Sequence, residues 1–203
     1  MGKRIGIYLV GLACTALGIA FIILSLQGAG PWDSVAVGLT NSFGLTIGTW
    51  SIISQIVFTL ITWILEKTRF RIESMIPIII RSCFLDFWFY FVLKNVDFSN
   101  SWELKWLSLI LGVLLAGVGM GIYMEAKFPK TPIDGLMVAL SNKLNWSLTI
   151  SRMSIEICGV ILGFLLGGPV GIGTLVTALF LGKIIQTSNH KVKKILQFQT
   201  QAL

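Results

Sequence analysis

Six apolar runs, at residues 5–26, 45–65, 72–93, 104–124, 148–166 and 170–185, dominate the chain and leave only short connections between them. At about 1.5 Å of helical rise per residue, each approaches the roughly 30 Å hydrocarbon core of a bilayer. Backbone N–H and C=O groups in hydrocarbon must be satisfied within their own segment, so runs of this length read as helices. A soluble domain of 203 residues, 55% of them hydrophobic and only 12% charged, has no interior large enough to hide that surface. Disordered tails and disulfide scaffolds are excluded on the same ground, since each needs a polarity or cysteine density that is absent.

Two further stretches, 31–43 and 132–144, are semi-apolar and too short to cross. Each follows a break and starts at a proline, Pro31 after Gly30 in the first case and Pro132 in the second, so each reads as a half-helix that re-enters the bilayer. The tail 187–203 is basic and polar and reads as lying outside the membrane.

The net charge of +7 raises nucleic acid as a partner, but the 16 Lys and Arg form no stripe interleaved with aromatics. They gather between the apolar runs. Lys3, Arg4, Lys67, Arg69, Arg71, Lys127, Lys130, Lys143, Lys191, Lys193 and Lys194 fall on one side of a six-span arrangement, and only Lys94 and Lys105 on the other. The positive-inside rule then puts both termini in the cytoplasm. The first run is too long for the apolar region of a cleaved signal, so it reads as a retained span.

Sliding the chain against itself by 101 residues lays Gly11 on Gly112, Gly18 on Gly119, Pro31 on Pro132, Asp33 on Asp134 and Asn41 on Asn142. A further shift of two residues then lays Leu45-Thr46-Ile47 on Leu148-Thr149-Ile150. Each half, about 5–93 and about 104–186, reads as span, half-helix, span, span. Three crossings is an odd number, so the second half enters the bilayer from the opposite face. The expected fold is one all-α membrane domain of six spans in two inverted repeats, the architecture of many secondary transporters.

The residues Gly28-Ala29-Gly30-Pro31-Trp32-Asp33, the following Gly38-Leu39, the segment Gly44-Leu45-Thr46-Ile47-Gly48-Thr49, and Gly171-Ile172-Gly173-Thr174 carry a family resemblance. On them the chain resembles the YczE/YyaS/YitT-like bacterial integral membrane proteins over nearly its whole length. The resemblance implies a small multi-spanning bacterial membrane protein and no particular substrate. The chain has Ile72-Glu73-Ser74 where its own second half has Ile172-Gly173-Thr174, so a close backbone approach is expected only at the later position.

Asp33 and Asp134 stand in the first turns of the two half-helices, where a carboxylate is stabilised by the helix dipole by about 0.3–1 kcal/mol. That is one reading of them; the other is that two matching carboxylates bind a cation, a proton or an amine-bearing solute. Glu156 lies near the middle of its span, where a charge costs about 2.5–3.5 kcal/mol on insertion scales and needs a partner. Arg152, four residues earlier, shares its helical face, so one reading of Glu156 is an internal ion pair with Arg152 and the other a substrate- or proton-coupling carboxylate. Arg81 and Asp86 are five apart, about 140° around a helix, and need partners elsewhere. Arg81 with Glu156 and Asp86 with Arg152 are the pairs considered. Trp32 reads as an interfacial anchor or a wall able to stack on a cation. Asn41 and Asn142 read as supporting polar groups.

Small residues at Ala16, Ala20, Gly117, Gly121, Gly159, Gly163 and Gly167 suit close helix packing. Cys14, Cys83 and Cys158 are widely spaced within apolar runs and read as small buried hydrophobes. The single histidine, His190, lies in the tail, which removes a His-based metal site or a Ser-His pair from the membrane. No phosphate-binding or dinucleotide glycine motif is present, so no enzyme, cofactor or metal is expected. The functional expectation is a transporter or permease for a small polar solute or ion, with the lipid bilayer as environment and a homodimer compatible with the small size. The alternative is an accessory membrane subunit, a solute-capture component or scaffold, acting with a partner protein.

Overall fold

A computed structural model describes residues 2–67, 72–99, 101–126 and 131–201. Arg69, Arg71, Lys127 and Lys130, counted above for topology, lie outside these residues, as does the side chain of Lys3. Among the described residues the chain is helical throughout, with no strand: α1 Gly2–Leu24, α2 Pro31–Phe43, α3 Ile47–Glu66, α4 Met75–Asp86, α5 Trp102–Glu125, α6 Pro132–Leu144, α7 Leu148–Leu165 and α8 Ile172–Gln201. Five stretches are long and apolar enough to cross a bilayer: Arg4–Leu24, Ile47–Glu66, Met75–Val92, Trp102–Glu125 and Leu148–Leu165. The chain is a multi-pass membrane protein.

Local chemistry explains the boundaries. Pro31 and Pro132 each open a helix, where the missing N–H has no partner to lose. The Thr46 hydroxyl accepts the Thr49 N–H at 3.1 Å to cap α3, and the Ser147 hydroxyl accepts the Ile150 N–H at 3.2 Å to cap α7. Asn145, at φ +55° and ψ +34°, ends α6 in the left-handed conformation open to asparagine, and Gly44, at φ +74° and ψ −155°, ends α2 in a region that only glycine enters readily. These boundaries correct the expected register. Pro31 and Pro132, Thr46 and Ser147, and the first residues of α3 and α7 all stand 101 apart, so the two-residue shift drawn from the Leu-Thr-Ile match is not taken up before α7.

The basic tail read from the sequence is helical, because α8 continues unbroken to Gln201. Pro77 sits in the first turn of α4, behind a short turn at Ile72–Ser74, so it removes no interior hydrogen bond and marks no mid-span bend. At its far end α4 widens into a π-helical turn, Phe87–Val92, closed by the Leu93 N–H on the Trp88 carbonyl at 2.8 Å.

The chain divides into two compact units. The first holds Met1–Ala29, Phe84–Phe128 and Gly171–Leu203, and therefore α1, α5 and α8. Here α1 and α5 pack antiparallel through their glycines. A methyl group on Gly18 would lie 2.3 Å from the Ala116 nitrogen and 2.6 Å from the Gly112 oxygen, and one on Gly119 would lie 2.4 Å from the Thr15 nitrogen and 2.7 Å from the Gly11 oxygen. The contacts are reciprocal: Gly11 meets Gly119 and Gly18 meets Gly112, and residues 11 and 112, like 18 and 119, stand 101 apart. Gly117 and Gly121 admit Ile184 and Ser188 of α8, and the Asn189 amide donates to the Gly121 carbonyl at 3.0 Å. Near the start of α8 the backbone crosses the segment after α1. The Gly173 N–H donates to the Gln27 carbonyl at 2.7 Å, and a methyl on Gly173 would meet the Gly28 oxygen at 2.6 Å.

The second unit holds Gly30–Cys83 and Pro129–Val170. In it α2 packs on α7 and α6 on α3. Gly163 lies against Ser34 and Val35, Gly159 against Pro31 and Trp32, and Gly168 against the Ser34 carbonyl. The Ser34 hydroxyl donates to the Pro169 carbonyl at 2.9 Å. Phe58, Leu136 and Ile155 form a buried cluster lined by Trp32, Ile133 and Met137. Gly167 has open space around it and serves the turn through its φ of +69°, not packing. Cys83 and Cys158 are exposed, against the expectation of burial; only Cys14 is partly buried.

Candidate functional site

The second unit gathers most of the residues singled out by the sequence. Gly30 precedes α2 and Pro31 fixes its first turn, which sets Asp33 in that turn. A methyl at position 30 would stand 2.8 Å from the Asp33 carboxylate, so Gly30 and Asp33 lie side by side. The start of α6 repeats the arrangement with Thr131 in the place of Gly30. The Thr131 hydroxyl donates to Asp134 Oδ2 at 2.8 Å.

Arg152 joins the second half-helix to α7. Its Nη1 lies 3.3 Å from Asp134 Oδ1 and its Nη2 lies 2.7 Å from Glu156 Oε1, one turn along the same helix. The side chains of Arg152, Asp134 and Glu156 are 40%, 37% and 29% exposed, so the trio is reachable from outside the protein core. Asp33 and Asp134 both lie near enough to Glu156 for their charges to act on it. Arg81 in turn acts on Asp33. Three carboxylates and two guanidiniums thus share one region, a formal balance of one negative charge.

The aromatic side of this region is packed. The Trp32 ring meets Phe58 edge-on, with centroids 4.5 Å apart and planes at 85°. Its Nε1 lies 3.0 Å from where a methyl on Gly159 would stand, and it is buried with no hydrogen-bond partner, as is Arg81 Nε.

Not every expected residue joins the group. Asn41 and Asn142 are exposed, each eight residues beyond its aspartate and so about 12 Å further along the helix. Glu156 takes Arg152 as its ion-pair partner, one of the readings of that residue, and Arg81 acts on Asp33.

One residue escaped the sequence reading. Gln55 stands 101 residues before Glu156, and Ser51 stands in the same relation to Arg152. Gln55 is only 7% exposed, and its Oε1 has no hydrogen-bond partner. With Ser51, Thr59 and Thr62 it makes a buried polar face on an otherwise apolar helix. A constant offset of 101 would have found it.

Among curated proteins, the chain is 32% identical over 178 residues to YyaS of Bacillus subtilis (strain 168), covering 88% of each chain. It is 30% identical over 192 residues to the membrane protein YczE of the same organism, covering 94% of this chain and 87% of that one. It is also 30% identical over 184 residues to a Haemophilus influenzae protein, covering 91% of this chain and 82% of the other. No solved structure matches. A family model spans residues 2–190, and the chain belongs to that family, DUF6198, a family of unknown function that includes the resemblance read from Gly28 to Asp33 and onward.

Proposed function

We propose that the protein is a secondary transporter of a small polar solute or ion in the bacterial cytoplasmic membrane, working by alternating access between two inverted three-span repeats. The observation that carries this reading is the meeting of Asp33, Asp134, Glu156, Arg81 and Arg152 at the starts of two matching short helices. Ionisable groups are costly within a membrane and concentrate on solute or ion pathways. Broken helices that present their N-terminal ends to a ligand, in matching places of two halves, are a recurrent transporter device. The antiparallel, reciprocal glycine contacts of α1 and α5 favour halves of opposite orientation. In this reading the short helices re-enter the bilayer, α8 supplies the sixth crossing, both termini are cytoplasmic, and the one excess negative charge attracts a cationic solute or coupling ion.

Purified protein in liposomes, adsorbed on a solid-supported electrode, tests the reading. Jumps in sodium, in proton concentration and in a panel of small amines should give a transient current with at least one of them. Glu156→Gln and Asp33→Asn should abolish that current while keeping the elution profile of folded protein. Absence of current with every jump, or full current in both variants, would refute the proposal; recovery of flux only after a co-purified ATPase is added would replace it with an accessory-subunit role.

A further inference from the structure

The halves of the second unit are matched in contacts but unequal in charge. Trp32 beside Gly159 and Ser34 beside Gly163 join α2 to α7. The same positions 101 residues away do the same for α6 and α3: Ile133 packs with the cluster containing Phe58, and Thr62 is the neighbour of Gly135. Gln55 therefore stands to the start of α6 as Glu156 stands to the start of α2. Both lie one turn before the residue that meets the opposing short helix, Phe58 in one case and Gly159 in the other. Glu156 is partnered by Arg152; Gln55 Oε1 is buried and has no partner.

We propose that Gln55 is a ligand-binding residue, its Oε1 forming with Asp134 the uncharged counterpart of the Asp33–Glu156 pair, and that the ligand shared by the two half-sites is a small monovalent cation held by oxygen acceptors. This rests on the transport reading above and names its solute class. The argument is one of complementarity. A carbonyl acceptor without a donor is expensive to keep in an apolar interior, and a ligand that brings a donor or a positive charge removes that expense. Across the two half-sites the carboxylates of Asp33 and Asp134 act on Glu156, and the Thr131 hydroxyl already donates to Asp134. Arg81 and Arg152 offset two of the three negative charges, so one positive charge completes the balance. A divalent cation would leave an excess, and an anion would meet three carboxylates. The glutamine also divides the work between the halves: Glu156 supplies charge, while an amide keeps its acceptor whatever the proton concentration.

Binding is measured by the thermal stability of the full chain in detergent, titrated with sodium chloride or methylammonium chloride. N-methylglucamine chloride holds the ionic strength constant. One of the two cations should raise the wild-type midpoint in a saturable way, which also separates an inorganic ion from an amine as its source. Gln55→Leu, which keeps the bulk and removes the acceptor, should weaken that binding about tenfold or more. Gln55→Glu, which keeps the acceptor, should bind at least as tightly as wild type. Unchanged affinity in Gln55→Leu would overturn the role of Gln55 while leaving the wild-type current, and so the transport reading, intact. Failure of both cations to bind wild type would overturn the cation class. If Gln55→Leu does not fold, Gln55→Glu decides: loss of binding there overturns the proposal.

Discussion

The α1–α5 crossing fixes a quantitative expectation for Gly119→Ala. The added methyl would stand 2.4 Å from the Thr15 nitrogen and 2.7 Å from the Gly11 oxygen, both backbone atoms that no rotamer change can move. Ordinary contact needs about 3.4 Å or more, so the helices must separate by about 1 Å along much of their shared length. Overpacking of this kind costs about 1–3 kcal/mol. At about 2–4 °C per kcal/mol for a chain of this size, the unfolding midpoint should fall by roughly 5 °C. Gly18→Ala, whose methyl would meet the Ala116 nitrogen at 2.3 Å, is the repeat counterpart and should cost a similar amount. Gly6→Ala supplies the control, because that position has nothing within 4 Å and gains helix propensity of about 0.5–1 kcal/mol. Thermal unfolding of the three variants in one detergent is the assay. Wild-type midpoints in both Gly119→Ala and Gly18→Ala would refute the close crossing.

Other perturbations have equally definite outcomes. Arg152→Gln strips the cation from both Asp134 and Glu156 and should destabilise by about 1–3 kcal/mol, between the exposed and buried limits for ion pairs; adding Glu156→Gln should recover part of the loss in a double-mutant cycle. Gly173→Ala should break the backbone crossing at Gln27 and Gly28, read as faster hydrogen exchange of the residue 173 amide, and protection equal to wild type would count against it. In the connection before α5, the Ser99 backbone N–H and hydroxyl donate to the Asp97 carboxylate at 2.7 and 2.8 Å, which holds its carboxyl below the usual range. A depressed carboxyl stabilises above its unfolded value, about 3.9, and loses that effect as pH falls through the folded value; exchange at the Ser99 amide should therefore rise in acid, and should be pH-independent beyond intrinsic chemistry in Asp97→Asn.

The parts of this fold legible in the sequence are those written in local chemistry. Proline at a first turn, Thr and Ser caps and apolar runs set the limits of α2, α3, α6 and α7 to within a residue or two, because each signal acts on its own segment. The extent of α8 was not legible from hydropathy. Its second half is held by Ser188 and Asn189 docked on Val118 and Gly121, contacts that polar residues make and that an apolar-run criterion discards. The π-turn at Phe87–Val92 was hidden too, since an aromatic run has no period that separates five-residue from four-residue hydrogen bonding. At the candidate site, Asp33, Asp134, Glu156, Arg81 and Arg152 declared themselves because charge in an apolar run is conspicuous. Gln55 did not, since a neutral amide is less so, and since matching letters at Leu-Thr-Ile drew the register away from the one the helix starts obey. Asn41 and Asn142 matched in register but lie at the far ends of their helices, a reminder that equivalence between halves is not proximity to the acids.

The reciprocal meeting of Gly11 with Gly119 and Gly18 with Gly112 has a historical reading. Two copies of a single half-length gene product, related by a two-fold axis, would make this same crossing with each glycine serving both partners. On the inverted-repeat reading proposed above, fusion of such copies frees the two sequences to diverge, and Glu156 at the position matching Gln55 is what that freedom permits: a dyad-symmetric ancestor could carry two acids or two amides there, never one of each.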